Sequence, residues 1–183
     1  MRSFDWSNIE ASNDGEFTPL PAGGYVAKII NMVDKEQKEY VELIYDIAEG
    51  KHAGYYSDDF GQKHPYTHHL FMSYKQTALG MLKGRLEAIQ KSNPGFDPFA
   101  AWDAGRLDMF NNRLIGINLQ EEEYLNRDNE VRTRLNVCQV VNAQDVRDGK
   151  VKVRPKKELQ GKAPVQSQSS AADVADDFEI PFD

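Results

Sequence analysis

Rings and cations, rather than a catalytic set, carry the recognisable chemistry of this 183-residue chain. Tyr55, Tyr56, Phe60 and Tyr66 stand close together in sequence, with Lys51 and Lys63 beside them and Phe71 and Tyr74 just beyond. Aromatic faces can stack on the bases of a single nucleic acid strand while lysines meet its phosphates, so interleaving of this kind suits a strand-binding groove. A second group, Arg132 and Arg134, is spaced two apart and so falls on one face of a β-strand. Lys150, Lys152, Arg154, Lys156 and Lys157 follow it as a basic strand or arm. Both groups have plainer readings. Aromatics are as readily core, which is the expectation for Phe71 and Tyr74, and paired arginines are as readily a solvated strand face.

Other chemistries find less support. Of His52, His64, His68 and His69, three fall within six residues. Structural zinc usually draws paired Cys or His ligands from two arms, and Cys138, the only cysteine, is remote, so these read as surface-loop histidines and no metal is expected. Glu121-Glu122-Glu123 reads as a solvated run at a strand end. Cys138 has no identifiable base beside it, as a nucleophile requires, and no Gly-rich phosphate loop with a following Lys is present. A non-enzymatic protein without a cofactor is the expectation. The last residues, Asp176, Asp177, Phe178, Glu179, Ile180, Pro181, Phe182 and Asp183, are a different signal. A merely solubilising acidic end has no use for Phe178, Ile180 and Phe182. Acidic residues that steer and an aromatic that anchors make a partner-docking peptide.

The elements that position these residues are mostly strands. Gly24 to Val33 and Tyr40 to Ile47 are rich in β-branched and aromatic residues and flank a polar gap, which predicts an antiparallel hairpin. In the second run Val41, Leu43, Tyr45 and Ile47 point to the core, and Glu42 and Asp46 to a wet face. Gly50 to Gly54 supplies a turn toward a third strand, and His68 to Met72 reads as a short strand after the Ser57–Thr67 loop. Ser73 and Gln76 have capping-box spacing, and Leu79, Leu82, Leu86 and Ile89 form one helical stripe that stops at Ser92-Asn93-Pro94-Gly95. Phe96, Phe99 and Trp102 suggest a short helical turn against the body. Ile115, Ile117 and Leu119 alternate in one strand and Val131, Thr133, Leu135 and Val137 in another, with a polar turn at Asn126 to Glu130. Five strands with a helix between the third and fourth is the connectivity of an OB-fold barrel, a mainly β architecture.

Composition bounds the rest. Residues 1–18 read as an arm that Phe4, Trp6 and Phe17 could anchor, 19–159 as the OB-like domain, and 160–183 as a disordered linker and acidic tip. The net charge is −7, and residues 162–183 hold five acidic residues against one Lys, so the body itself is nearly balanced. With one cysteine there is no internal disulfide, and no run reaches the ~20 apolar residues of a membrane span, so a cytoplasmic protein is expected. An exposed edge strand would permit self-association.

Two resemblances add to this. The closing acidic residues with Phe178, Ile180, Pro181 and Phe182 look like the C-terminal tip of bacterial-type single-stranded-DNA-binding proteins, which implies recruitment of partner enzymes. In that family the chain usually ends on the Phe, whereas Asp183 follows Phe182 here. Leu20-Pro21-Ala22-Gly23-Gly24-Tyr25, Tyr45-Asp46-Ile47-Ala48-Glu49-Gly50 with Gly54-Tyr55-Tyr56, Lys91-Ser92-Asn93-Pro94-Gly95-Phe96 and Glu121-Glu122-Glu123-Tyr124 resemble a family of small proteins from phages and mobile elements of Gram-positive bacteria. Some members are assigned as single-stranded-DNA-binding proteins. The likeness spans roughly residues 17 to 159 and implies an OB-like fold and a role in phage replication or recombination. An interaction module of the same fold that binds a recombinase or host factor without DNA is the alternative expectation.

Overall fold

The computed structural model describes residues 20–57 and 67–159. The N-terminal arm, Phe60, Lys63, His64 and Tyr66 of the long loop, and the linker and acidic tip lie outside the described residues. Five antiparallel strands form one sheet: β1 (Gly23–Lys35), β2 (Tyr40–Ile47), β3 (His69–Ser73), β4 (Leu114–Leu125) and β5 (Val131–Val141). Helix α1 (Leu79–Ser92) follows β3, and two short helices, α2 (Pro98–Asp103) and α3 (Ala143–Arg147), complete the chain.

The strand order is β3-β2-β1-β4-β5. A register shift between Ile29 and Asn31 bends β1, so that its first half pairs with β4 and its second half continues along β2. The extra residue also flips the alternation. Ala27 and Ile29 face the core before it and Met32 after it, and Ile30 is left exposed. Helix α1 packs against β3 at one end of the order and β4 and β5 at the other, so the sheet coils around it. Leu82, Leu86 and Ile89 join Leu43, Tyr45, Ile47, Met72, Ile115 and Ile117 in the core, where each large apolar side chain contributes about 1.5–3 kcal/mol by leaving water. Asn93 pins the end of α1 to the start of β4: its side chain donates to the Leu114 carbonyl at 2.8 Å and accepts from the Leu114 amide at 2.9 Å.

Several expectations need correction. The turn at Gly50 to Gly54 leads into further turns through Ser57, so Tyr55 and Tyr56 are not in a strand, and the third strand is β3. Ser73 ends β3 instead of capping α1, which starts without a side-chain cap after a 3₁₀ turn, Gln76–Ala78. That turn tilts Leu79 outward, to 40% exposure. Asp46 sits on the predicted wet face yet is 2% exposed. Residues 52–57 fold over it, and its carboxylate accepts from the amides of Ile47 and Tyr56 at 2.8 and 2.9 Å and from the Ser57 hydroxyl. Val131 and Thr133 are exposed, because the outer half of the β4–β5 hairpin extends past β1. Glu121, Glu122 and Glu123 lie within β4, not after it. The basic arm is extended and makes a single parallel bridge to β4, between Glu122 and Lys157.

Gly116 marks the tightest point of the sheet. A Cβ there would come within 2.8 Å of the carbonyl oxygens of Val141 and Asn142, main-chain atoms that cannot swing away. Gly116→Ala is expected to lower stability by about 2 kcal/mol, read as a reduced midpoint in urea denaturation.

Candidate nucleic-acid interface

The hairpin and the basic arm bring four of the predicted cations to one surface. The register sets Arg132 opposite Tyr124, Arg134 opposite Glu122 and Gln139 opposite Asn118. Asn118, Gln120, Glu122 and Tyr124 alternate onto one face of β4. Over that face runs the arm. Asn118 Nδ2 donates to the Lys152 carbonyl at 3.0 Å, Gln120 Nε2 donates to the Pro155 carbonyl at 2.6 Å, and Arg154 donates to Gln139 Oε1 at 3.2 Å. Lys152 and Arg154 are exposed and make no ion pair among the described residues. At its end the arm moves to the β4 edge that β1 leaves uncovered: the Lys157 amide donates to the Glu121 carbonyl and the Glu123 amide to the Lys157 carbonyl.

Tyr124 is the residue that sequence reasoning missed. The Arg134 guanidinium lies 5.0 Å from its ring centroid, a cation stacked on an aromatic at the hairpin's outer half. The signal was present as spacing, since Tyr124 continues the alternation of Gln120 and Glu122. Acidic groups temper this surface. Arg132 pairs with Glu130 at 2.8 Å, Arg134 with Glu122 at 3.5 Å, Lys156 with Glu123 at 2.6 Å, and Lys157 also reaches Glu122. Partial burial opposes ionisation of Glu122, but its bonds to Lys157 and Asn136 outweigh that and hold the carboxyl below its usual range. Cys138 lies beside this surface. Burial pushes its thiol up despite Arg154 nearby, and its S–H donates to the Asn118 carbonyl.

The tyrosines predicted to stack on bases are placed elsewhere. Tyr56 is 7% exposed and packs edge-on to Tyr45 and Tyr55 and flat against His68, so it presents no free face. Tyr55 is half-buried and its hydroxyl accepts from the Leu20 amide at 3.1 Å. Together with Tyr25 and His52 these rings form a ribbon against inward-facing Tyr45, whereas Arg132 and Arg134 share the opposite, outward-facing alternation of the sheet. Lys51 is exposed beside this ribbon. Of the two aromatics assigned to the core, Tyr74 packs against it, while Phe71 lies on the outer face opposite Glu42, edge-on to Tyr40.

His68 and His69 flank the same ribbon. His69 Nδ1 lies 2.7 Å from Glu42 Oε1. His68 is pulled down from the ordinary 6.5 to about 4, first by burial, then by the charge of His69, with Asp46 partly opposing. The fold therefore needs His68 neutral. The unfolded chain takes up this proton at a higher pH than the folded one, so the stabilisation is complete above about pH 6.5 and is lost as pH falls from there toward 4. Because the ring is not fully enclosed, screening reduces the effect to about 1–2 kcal/mol. Urea denaturation at pH 7 and pH 4.5 should show this loss, and His68→Gln should flatten the pH dependence. Among the described residues no group of three His, Cys, Asp or Glu is arranged to hold a metal ion, and no helix is long and apolar enough to cross a membrane.

Comparison with known proteins leaves the geometry to speak for itself: no protein-family model and no curated protein matches this chain.

Proposed function

We propose that the protein binds single-stranded DNA without sequence preference, as a non-enzymatic component of phage replication or recombination in the host cytoplasm. The observation that carries this reading is the gathering of Arg132, Arg134, Lys152 and Arg154 with Tyr124 on one face of the β4–β5 hairpin and its arm. Cations along a groove and a ring at its side are the means by which single strands are held. The strand order supports an OB-fold-like barrel. Five antiparallel strands in the order β3-β2-β1-β4-β5, with the helix after β3, match such a barrel opened along its β3–β5 seam. In OB-folds the loop between strands 4 and 5 is one of those that engage oligonucleotides, and this is where the hairpin extends. The tip residues Asp176, Asp177, Phe178, Ile180, Pro181 and Phe182 would recruit partner enzymes, as their resemblance implies. The edge of β5, unpaired among the described residues, would permit self-association.

The alternative is an interaction module that binds a protein and no DNA. It is favoured by one observation: Glu122, Glu123 and Glu130 already engage many of the hairpin's cations. Salt dependence separates the two, because displaced counterions make DNA affinity fall steeply with salt. A fluorescent poly-dT oligonucleotide titrated by anisotropy at low and moderate salt should bind the full chain and lose affinity as salt rises. A version ending at Gly161 should bind at least as tightly, since it lacks the acidic tip that competes for the cations. Absence of binding by both would overturn the DNA reading and favour the interaction module.

A further inference from the structure

A second surface has the opposite chemistry. Between the β1–β2 turn and the segment around α2 lies a cavity of about 420 Å³, a size in the range of small-ligand sites. Val41, Leu107, Tyr74 and Trp102 give it apolar and aromatic walls, and Asp34 and Glu36 bring carboxylates to it. The Tyr74 and Trp102 rings meet edge-on with centroids 6.4 Å apart, and the Tyr74 hydroxyl donates to Asp34 Oδ1 at 3.0 Å.

Nearby cations are partly committed. Arg106, between Gly105 and Leu107, is held by both oxygens of Asp108 at 2.9 and 2.8 Å, and Lys35 pairs with Glu42 at 3.6 Å. Lys38 and Lys75 are the other cations of these segments, and Glu39 directly follows Lys38. The local field is negative: besides burial and the Asp34 bond, the charges of Asp34, Glu36 and Glu39 all push the Tyr74 hydroxyl up.

We infer that this cleft seats a Lys or Arg side chain from a basic segment of a partner protein, with the cation against Trp102 and Tyr74 and bonded to Asp34 and Glu36. Indole and phenol faces attract a cation, and carboxylates add charge-assisted bonds to it. The same carboxylates repel phosphates and would repel this chain's own acidic tip, so neither DNA nor the tip is the occupant. The position also fits. Asp34 is at one end of β1, while Gly23 at the other end meets β4 at Leu119, where the cation-bearing hairpin begins. One face can therefore hold a basic partner while the other is occupied. The inference goes beyond the DNA-binding reading and does not require it.

The test uses the full chain with Trp6→Phe, so that emission reports Trp102 alone. Titration with acetyl-Gly-Arg-Gly-Arg-Gly-amide should give a saturable change in emission, and the matching peptide with Glu in place of Arg should give none. Asp34→Asn with Glu36→Gln, both at exposed positions, should weaken the Arg peptide by about tenfold or more. The double variant should keep its thermal midpoint and its poly-dT affinity, which separates failure here from failure of the DNA reading. No saturable change, or equal affinity in the double variant, would overturn the inference. So would a concentration-dependent dimer in sedimentation that the double variant abolishes, because the occupant would then be a second copy of this chain.

Discussion

Replacing Arg132, Arg134, Lys152 and Arg154 together with Gln should lower affinity for poly-dT by about 100-fold at 0.15 M salt. The salt dependence should change with it. Each phosphate contact to a single strand adds about 0.7 to the slope of log affinity against log salt, so loss of four contacts should flatten the slope by up to about 3. The contributions will not be equal. Arg132 and Arg134 must give up Glu130 and Glu122 to meet phosphate, whereas Lys152 and Arg154 have no ion-pair partner among the described residues to leave. Lys152→Gln and Arg154→Gln alone should therefore account for more of the loss than their number suggests. Fluorescence anisotropy across a salt series measures both quantities. An unchanged slope in the fourfold variant would move the DNA site off the hairpin.

The largest loss of stability is expected at Asp46. Its buried carboxylate accepts from two main-chain amides and the Ser57 hydroxyl. Asp46→Ala leaves the Tyr56 amide and the Ser57 hydroxyl without their acceptor, at a cost of about 3 kcal/mol. Asp46→Asn keeps one oxygen for the amides and should cost less than half as much. Urea denaturation of the two variants gives the comparison. If Ala and Asn were equally tolerated, the carboxylate would not be what holds residues 52–57 over the sheet.

These two sites show how far the residues could be read in advance. The strands were legible because alternation is physical: Val41, Leu43, Tyr45 and Ile47 can reach the core only from one face of β2. The arginine pair was legible for the same reason. Alternation gives parity, however, and not what later covers a face. Asp46 has the parity of a wet residue, yet the turn that follows β2, residues 52–57, folds back and closes over it. Tyr55 and Tyr56 were assigned by residue type alone, and type cannot distinguish a ring that stacks on a base from one that seals the end of a sheet. Glu121 to Glu123 were read as a loop because three carboxylates in a row suit water. Arg134, Lys156 and Lys157 supply the counter-charges that let them continue as a strand, and those partners lie 10 or more residues away in sequence. Helix α3 was missed because five residues carry almost no periodicity, although Asn142, whose side chain caps the Gln144 amide, was a readable start.

The change of neighbours along β4 also divides the sheet by how easily it opens. From Gly116 to Leu119 the strand is laddered on both sides, to β1 and to β5, and local opening there must expose Ile117, Leu119 and the core beneath them. Beyond Leu119, among the described residues, its main chain is laddered to β5 alone and joined to the arm by two main-chain bonds to Lys157, over side chains that are already partly wet. Breathing of the outer hairpin therefore releases few apolar contacts and leaves the global fold intact. On the proposed DNA-binding reading, the segment that carries Tyr124, Arg132 and Arg134 can thus reshape itself around a flexible strand at small energetic cost.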